Sequence, residues 1–107
     1  MSLFKTAPVP SMEDLYDEML TVPNHQLVDV RSPQEFQEGH LAGSRNIPLN
    51  QIPLILKEFP QKDTPLYLYC HSGARSQRAC AFLNKQGYTH VTNLGGLIQW
   101  HGPLAND

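Results

Sequence analysis

The side chains best suited to covalent chemistry in this chain lie together in the segment from Cys70 to Ser76. Cys70 follows an apolar and aromatic run, residues 65–69, that is typical of a buried strand. The pattern after Arg75, closed by Gly87, predicts an amphipathic helix. The loop between them therefore directs backbone N–H groups and the positive end of a helix toward the Cys70 sulfur. Because such surroundings stabilise a thiolate, we predict that Cys70 is a reactive nucleophile.

The rest of this loop suits the binding of an anion. Gly73 allows a turn that points N–H groups inward, and Arg75 provides a forked cation for substrate binding or thiolate stabilisation. Ser72 and Ser76 carry hydroxyl groups that can donate to an anion, although Ser76 equally suits a helix cap or packing in the first turn. The predicted substrate-binding set is His71, Ser72, Gly73, Ala74, Arg75 and Ser76. Within it, the His71 side chain is a candidate for tuning the thiol or for serving as a general acid, or else it is an exposed bystander.

The second cysteine and the other candidate motifs favour structural roles. Cys80 lies about two helical turns after Cys70, roughly 10 Å or more away, which is too far for a disulfide, and it shares a helical face with core residues. The other histidines lack metal-ligand spacing, so no metal site is predicted. Gly95-Gly96 has no third glycine that opens a long helix, so it predicts a tight turn and no nucleotide cofactor.

Asp29, Arg31 and Glu35 allow two interpretations. One is a catalytic pair of carboxylates. The other is structural: a strand-end aspartate, a glutamate that caps a helix, and an ion pair with the arginine. We favour the structural interpretation, because Ser32, Pro33 and Glu35 together form a helix-start signal.

The order of elements predicts the α/β class, with a small parallel β-sheet flanked by helices on both faces. Strands alternate with helices too long for hairpins, and such crossovers require parallel pairing. Cys70 then lies at the carboxyl end of a strand, where open parallel sheets bind ligands. The predicted helices are 12–20, a short one from Pro33 to near Gly39, 52–59, one that follows Arg75, and a helical turn at 97–100. The predicted strands are 26–30, 65–69 and 90–94, and Gly95-Gly96 ends the last of them.

The composition limits the classes of partner. The chain has 107 residues, with 8 Lys and Arg against 10 Asp and Glu, a formal net charge of −2. We predict a single domain, residues 1–107, with its core at about 9–104. The sequence has no long run of like charge and no apolar stretch of membrane-spanning length, so we predict neither nucleic acid nor a membrane as a partner. The absence of a signal peptide and of a disulfide framework favours the cytoplasm. We expect a monomer, because no feature of the sequence indicates assembly.

Three ordered sequence blocks around a Cys-x-x-Gly-x-Arg-Ser loop resemble the rhodanese domain, in its single-domain thiosulfate sulfurtransferase type. The similarity runs through nearly the whole chain. The three blocks are residues 28–36 (VDVRSPQEF), 39–48 (GHLAGSRNIP) and 94–100 (LGGLIQW).

The resemblance implies an enzyme that transfers sulfur. Cys70 would attack the outer sulfur of thiosulfate or a related persulfide donor, and cyanide or a thiol would then take that sulfur from the Cys70 persulfide. Thioredoxin and a cysteine desulfurase are candidate partners, and no cofactor is implied. Related phosphatases and arsenate reductases have five residues between cysteine and arginine, whereas four separate Cys70 from Arg75 here. A non-catalytic binding module is the other alternative, although such modules commonly lose the cysteine.

Overall fold

A computed structural model describes residues 9–107 of the protein, and these residues contain one four-stranded parallel sheet. Its strands are β1 (Gln26–Asp29), β2 (Arg45–Asn46), β3 (Leu66–Cys70) and β4 (Val91–Gly96), in the spatial order β2-β1-β3-β4. The helices are α1 (Met12–Leu20), α2 (Pro33–Glu38), α3 (Ile55–Glu58), α4 (Ala74–Lys85) and the 3₁₀ helices Leu49–Leu54 and Leu97–Gln99. The predicted α/β class and parallel sheet are confirmed. The first eight residues of the predicted domain lie outside the described residues.

Each face of the sheet carries its own apolar cluster, because successive side chains of a strand point to opposite faces. On one face Val28, Leu66 and Leu68 pack with buried residues of α3 and α4. On the other face Leu27, Tyr67 and Tyr69 pack with Met12, Met19, Leu41 and Leu94. Helices therefore cover both faces, as predicted, and all five residues of β3 are buried. Within residues 9–107 no helix combines the length and apolarity needed to cross a bilayer.

The helix-start signals found in the sequence form as predicted. Ser11 and Asp14 make a reciprocal capping box at the start of α1. Ser32 and Glu35 make a second capping box in front of α2, with Pro33 at its first position. Gly87 follows α4 with a φ of +97°, the left-handed conformation that ends a helix. These signals succeed because all their partners lie within four residues along the chain.

Two sequence predictions of local structure are wrong. The single helix predicted at 52–59 is instead the 3₁₀ helix Leu49–Leu54 followed by the short α3. The irregular φ and ψ of Gln51 (−119° and 15°) interrupt the 3₁₀ segment, and Pro53 lacks the N–H that a longer α-helix requires there. Gly95 and Gly96 do not form a turn. They are the last residues of β4 and pair with Tyr69 and Cys70 after a register shift.

Candidate active site

Cys70 lies at the carboxyl end of β3 with its side chain fully buried. The chain then turns through Gly73, whose φ of +98° lies in the left-handed region that glycine adopts without a steric penalty. This turn aims two backbone N–H groups at the sulfur. The Gly73 N–H donates to Cys70 Sγ at 3.0 Å and the Ser76 N–H donates at 3.4 Å. The helix α4 begins at Ala74, two residues earlier than predicted, so Ser76 belongs to its first turn.

These hydrogen bonds determine the ionisation of Cys70. Burial of the sulfur raises the Cys70 pKa, but hydrogen bonds from the Ser76 hydroxyl and from the N–H groups of Ser76, Gly73 and Ser72 lower it, and the net result is a lowered pKa. Among residues 9–107 no comparable set of donors surrounds Cys80, and burial raises its pKa to about 12. The fold therefore favours the thiolate at Cys70 and the neutral thiol at Cys80. The two cysteines are both free, as the sequence predicted.

Ser76 is completely buried, and Asn93 of β4 holds its hydroxyl. Ser76 Oγ lies 2.7 Å from Asn93 Oδ1, 3.1 Å from the Gly73 carbonyl oxygen and 3.4 Å from Cys70 Sγ. Asn93 Nδ2 donates to the same Gly73 carbonyl at 3.1 Å. Asn93 is a site residue that the sequence did not indicate, because it lies 20 residues beyond Gly73. Nothing in the sequence alone brings it to the loop.

The loop packs against the two glycines of β4, Gly95 and Gly96. A Cβ atom at Gly96 would overlap the His71 carbonyl, so only glycine allows the backbones to come this close. Gly73 packs against Gly95. A Cβ atom added to Gly73 would lie 3.5 Å from Gly95 Cα, which is an ordinary van der Waals contact. The His71 carbonyl also accepts from the Ile98 N–H at 3.0 Å. The loop is thus fixed by β4 and by the 3₁₀ turn after it.

Arg75 is held by Glu35 of α2. Its Nη1 and Nη2 donate to the two carboxylate oxygens at 2.8 and 3.0 Å, a bidentate ion pair across 40 residues of sequence. Hydrogen bonding to Arg75 lowers the Glu35 pKa to about 2. Arg75 also interacts electrostatically with Cys70. Glu35 therefore has two contacts, the predicted helix cap and a contact with the loop arginine that the sequence did not indicate.

The remaining predicted residues occupy different positions. Asp29 and Arg31 form a buried ion pair, with Nη2 at 2.7 Å from Oδ2, and the same Nη2 donates to the Gly39 carbonyl at 2.6 Å. This pair joins the end of β1 to the end of α2, and Glu35 takes no part in it. His71, Ser72 and Ala74 are exposed at the rim of the loop. Among the described residues, no cluster of three or more His, Cys, Asp or Glu side chains is arranged to hold a metal ion.

A groove of about 680 Å³ lies beside Arg75. Apolar side chains, among them Leu49, Ile52 and Phe82, line it together with the Arg75 and Arg78 side chains. Arg75 is neutralised by its carboxylate partner, while Arg78 forms no ion pair with any residue that the structure describes. This side of the loop therefore offers positive charge to a small anion.

Comparison with known protein families agrees with this geometry. The sequence model of the Rhodanese-like domain matches residues 11–102, which is most of the chain and includes the whole site. The chain belongs to the rhodanese-like domain family. The resemblance noted in the sequence is thereby confirmed, and sulfur transfer is the activity named among its relatives.

Three curated relatives illustrate that similarity. A "Sulfurtransferase" of Allochromatium vinosum is 42% identical over 93 residues, covering 84% of this chain and 86% of the relative. "Thiosulfate sulfurtransferase PspE" of Escherichia coli is 41% identical over 71 residues, covering 65% and 68%. The "Uncharacterized protein YqhL" of Bacillus subtilis is 48% identical over 80 residues, 74% of this chain and 63% of the relative, so the match spans less than two thirds of that protein.

Solved rhodanese structures share the fold. A structure described as "rhodanese with anions from E. coli" has a TM-score of 0.71 and 36% identity, and the alignment covers 78% of this chain and 99% of that one. A rhodanese-like domain protein from Staphylococcus aureus has a TM-score of 0.78 and 28% identity, with 91% and 95% covered. The parallel α/β fold of this chain is thus shared with these rhodanese structures.

Proposed function

We propose that this protein is a sulfurtransferase that moves sulfane sulfur from thiosulfate, or a related small anionic persulfide donor, through a persulfide on Cys70. The observation that carries the proposal is the pair of backbone N–H groups on Cys70 Sγ, at 3.0 Å from Gly73 and 3.4 Å from Ser76. Donors aimed at one sulfur stabilise negative charge there, on the attacking thiolate and again on the thiolate that is restored when the persulfide is cleaved.

The first half-reaction exchanges one sulfur–sulfur bond for another. The Cys70 thiolate attacks the outer sulfur of thiosulfate, a bond forms between the two sulfur atoms, and the original sulfur–sulfur bond breaks. Its electron pair leaves with sulfite, so no oxidant or reductant is required. The N–H groups of the loop would receive the terminal persulfide sulfur. Arg78 would attract the dianionic donor, and Arg75, held beside it by Glu35, would offer N–H donors to the bound anion.

The second half-reaction restores the enzyme. Cyanide attacks the terminal persulfide sulfur and leaves as thiocyanate, while the bonding pair returns to Cys70 as the thiolate. A thiol acceptor would take the same sulfur as its own persulfide, and thioredoxin is a candidate for that role. A cysteine desulfurase is a candidate donor. The exposed loop residues His71 and Ser72 lie where such partners would approach.

Steady-state kinetics with thiosulfate and cyanide test the proposal, with the two cysteines as matched variants. We expect parallel double-reciprocal lines, the pattern of a ping-pong mechanism. Cys70→Ala should abolish turnover, and Cys80→Ala should retain it because Cys80 lies in the core. Turnover that survives Cys70→Ala would refute the proposal. So would efficient Cys70-dependent hydrolysis of an aryl phosphate without any sulfur transfer, since that result would favour phosphatase chemistry.

A further inference from the structure

The polar side chain that contacts the Cys70 loop from β4 is Asn93, and its amide orientation is fixed by its neighbours. Oδ1 accepts from the Gly95 N–H at 3.0 Å, and Nδ2 donates to the Gly73 carbonyl at 3.1 Å. A backbone N–H only donates and a carbonyl only accepts, so the reverse orientation of the amide would lose both bonds. Oδ1 therefore faces Ser76 as an acceptor, at 2.7 Å.

The Ser76 hydroxyl has one proton and several neighbours that compete for it. When it donates to Asn93 Oδ1, the shortest of its contacts, only its lone pairs remain for Cys70 Sγ at 3.4 Å. In that arrangement it accepts from the Cys70 S–H and stabilises the neutral thiol. A thiolate instead needs the hydroxyl to turn and donate to the sulfur, and such a charge-assisted bond is stronger than a neutral one.

The loop can make this change without leaving an unpaired polar atom. After the hydroxyl turns, Asn93 Oδ1 still accepts from the Gly95 N–H, and the Gly73 carbonyl still accepts from Asn93 Nδ2 and from the Gln77 N–H at 3.0 Å. Both hydroxyl orientations are thus fully hydrogen-bonded, which buried polar groups require. The Ser76 hydroxyl can therefore accept from the Cys70 thiol and donate to the Cys70 thiolate.

We propose that Asn93 is a positioning residue that holds the Ser76 hydroxyl away from Cys70 while the thiol is protonated and releases it to the thiolate. A solvent base takes the thiol proton, and the hydroxyl proton moves only by rotation about the Ser76 side chain. The consequence for turnover rests on the proposed function, whereas the ionisation of Cys70 is measurable by itself. Asn93 touches neither the sulfur nor a substrate in this scheme, so its effect passes through Ser76.

The other ionisable groups around Cys70 are left in place by substitutions at Asn93. Arg75 and Cys80, both on α4, interact electrostatically with Cys70. Glu35 of α2 and Asp29 of β1 interact in turn with Arg75. His71 follows Cys70 directly in the loop. Because Asn93 is uncharged and lies on β4, neutral substitutions there change the hydroxyl's partner without changing these charges.

The test is the pH dependence of Cys70 alkylation by iodoacetamide, followed by peptide mass, in variants of the full chain. Asn93→Ala removes the nearer of the two acceptors that compete with Cys70 for the hydroxyl, Asn93 Oδ1 at 2.7 Å, and leaves the Gly73 carbonyl at 3.1 Å, so the apparent Cys70 pKa should fall by roughly half a unit to one unit. Asn93→Asp provides a stronger, charged acceptor, and the pKa should rise by about one unit. In a Ser76→Ala background, the shift caused by Asn93→Ala should disappear.

A merely structural role gives a different pattern. If Asn93 only braces the loop, both substitutions loosen the N–H groups around the sulfur and both raise the Cys70 pKa. That result, or an Asn93→Ala shift that persists in the Ser76→Ala background, would overturn the proposal. If Asn93→Ala fails to fold, Asn93→Leu takes its place, both alone and combined with Ser76→Ala. Leucine keeps the side-chain volume but has no acceptor. Because alkylation needs no sulfur donor, the result does not depend on whether the protein transfers sulfur.

Discussion

Gly96→Ala should damage the Cys70 loop through one methyl group placed on the neighbouring strand. An ideal Cβ at Gly96 lies 2.5 Å from both the His71 carbonyl carbon and Ser72 Cα, and it overlaps the His71 carbonyl oxygen. Ordinary van der Waals contact begins at 3.4 Å, so relieving the two 2.5 Å contacts alone requires β4 and the loop to separate by about 0.9 Å, and the carbonyl oxygen requires more. Both sides of this contact are backbone, and no side-chain rotation relieves it.

The separation acts on stability and on Cys70 together. Overpacking of this kind costs about 1–3 kcal/mol in the free energy of unfolding. The shift also stretches the 3.0 Å hydrogen bond from the Gly73 N–H to Cys70 Sγ. Losing one hydrogen bond to a charged sulfur raises the thiol pKa by about one unit, so the thiolate fraction falls about tenfold at pH values well below the Cys70 pKa.

Two assays measure these effects against a matched control. Urea unfolding gives the stability change, and the rate of iodoacetamide alkylation near neutral pH gives the thiolate fraction. Gly43→Ala is the control. Gly43 also has a positive φ (+82°), but apart from its chain neighbours no described residue places an atom within 4 Å of its added Cβ. The control should lose stability without losing Cys70 reactivity. If Gly96→Ala alkylates as fast as the unsubstituted protein, the close contact does not position the loop and the reasoning is refuted.

Three further substitutions and titrations follow from the same contacts. Hydrogen bonding to Arg75 lowers the pKa of Glu35 to about 2, so this ion pair contributes its full stability above pH 4.5 and loses it as the pH falls through 2. Glu35→Gln should therefore remove that part of the acid dependence of unfolding. Burial raises the Cys80 pKa to about 12, so iodoacetamide should leave Cys80 unmodified in the folded protein at pH 9, and modification there as fast as at Cys70 would contradict the packing. Tyr69→Phe should cost about 1–3 kcal/mol in urea unfolding, because it leaves the buried Leu41 N–H without its acceptor at 3.0 Å; an unchanged midpoint would contradict this.

The parts of the fold that the sequence predicted depend on residues close together in the chain. Ser11 with Asp14 and Ser32 with Glu35 define helix starts through partners three residues away. The strand–loop–helix arrangement around Cys70 is equally local. The alternation of strands and helices then requires parallel pairing, so the class of the fold follows from the order of its elements.

The parts that the sequence did not predict depend on contacts between distant segments. Gly95 and Gly96 have the composition of a turn, and only the approach of the His71 backbone explains them as strand residues. The contact between Arg75 and Glu35 spans 40 residues, and the contact between Ser76 and Asn93 spans 17. Each is set by the order of strands in the sheet. A local pattern therefore finds the nucleophile candidate but not the side chains that position its surroundings.

The most direct test of the central claim is the intact mass of the reduced protein after incubation with thiosulfate and removal of the excess. We predict a gain of one sulfur atom in the unsubstituted protein and in Cys80→Ala, no gain in Cys70→Ala, and complete reversal by cyanide. No gain with thiosulfate or with an organic persulfide donor would contradict a persulfide on Cys70, as would an equal gain in Cys70→Ala.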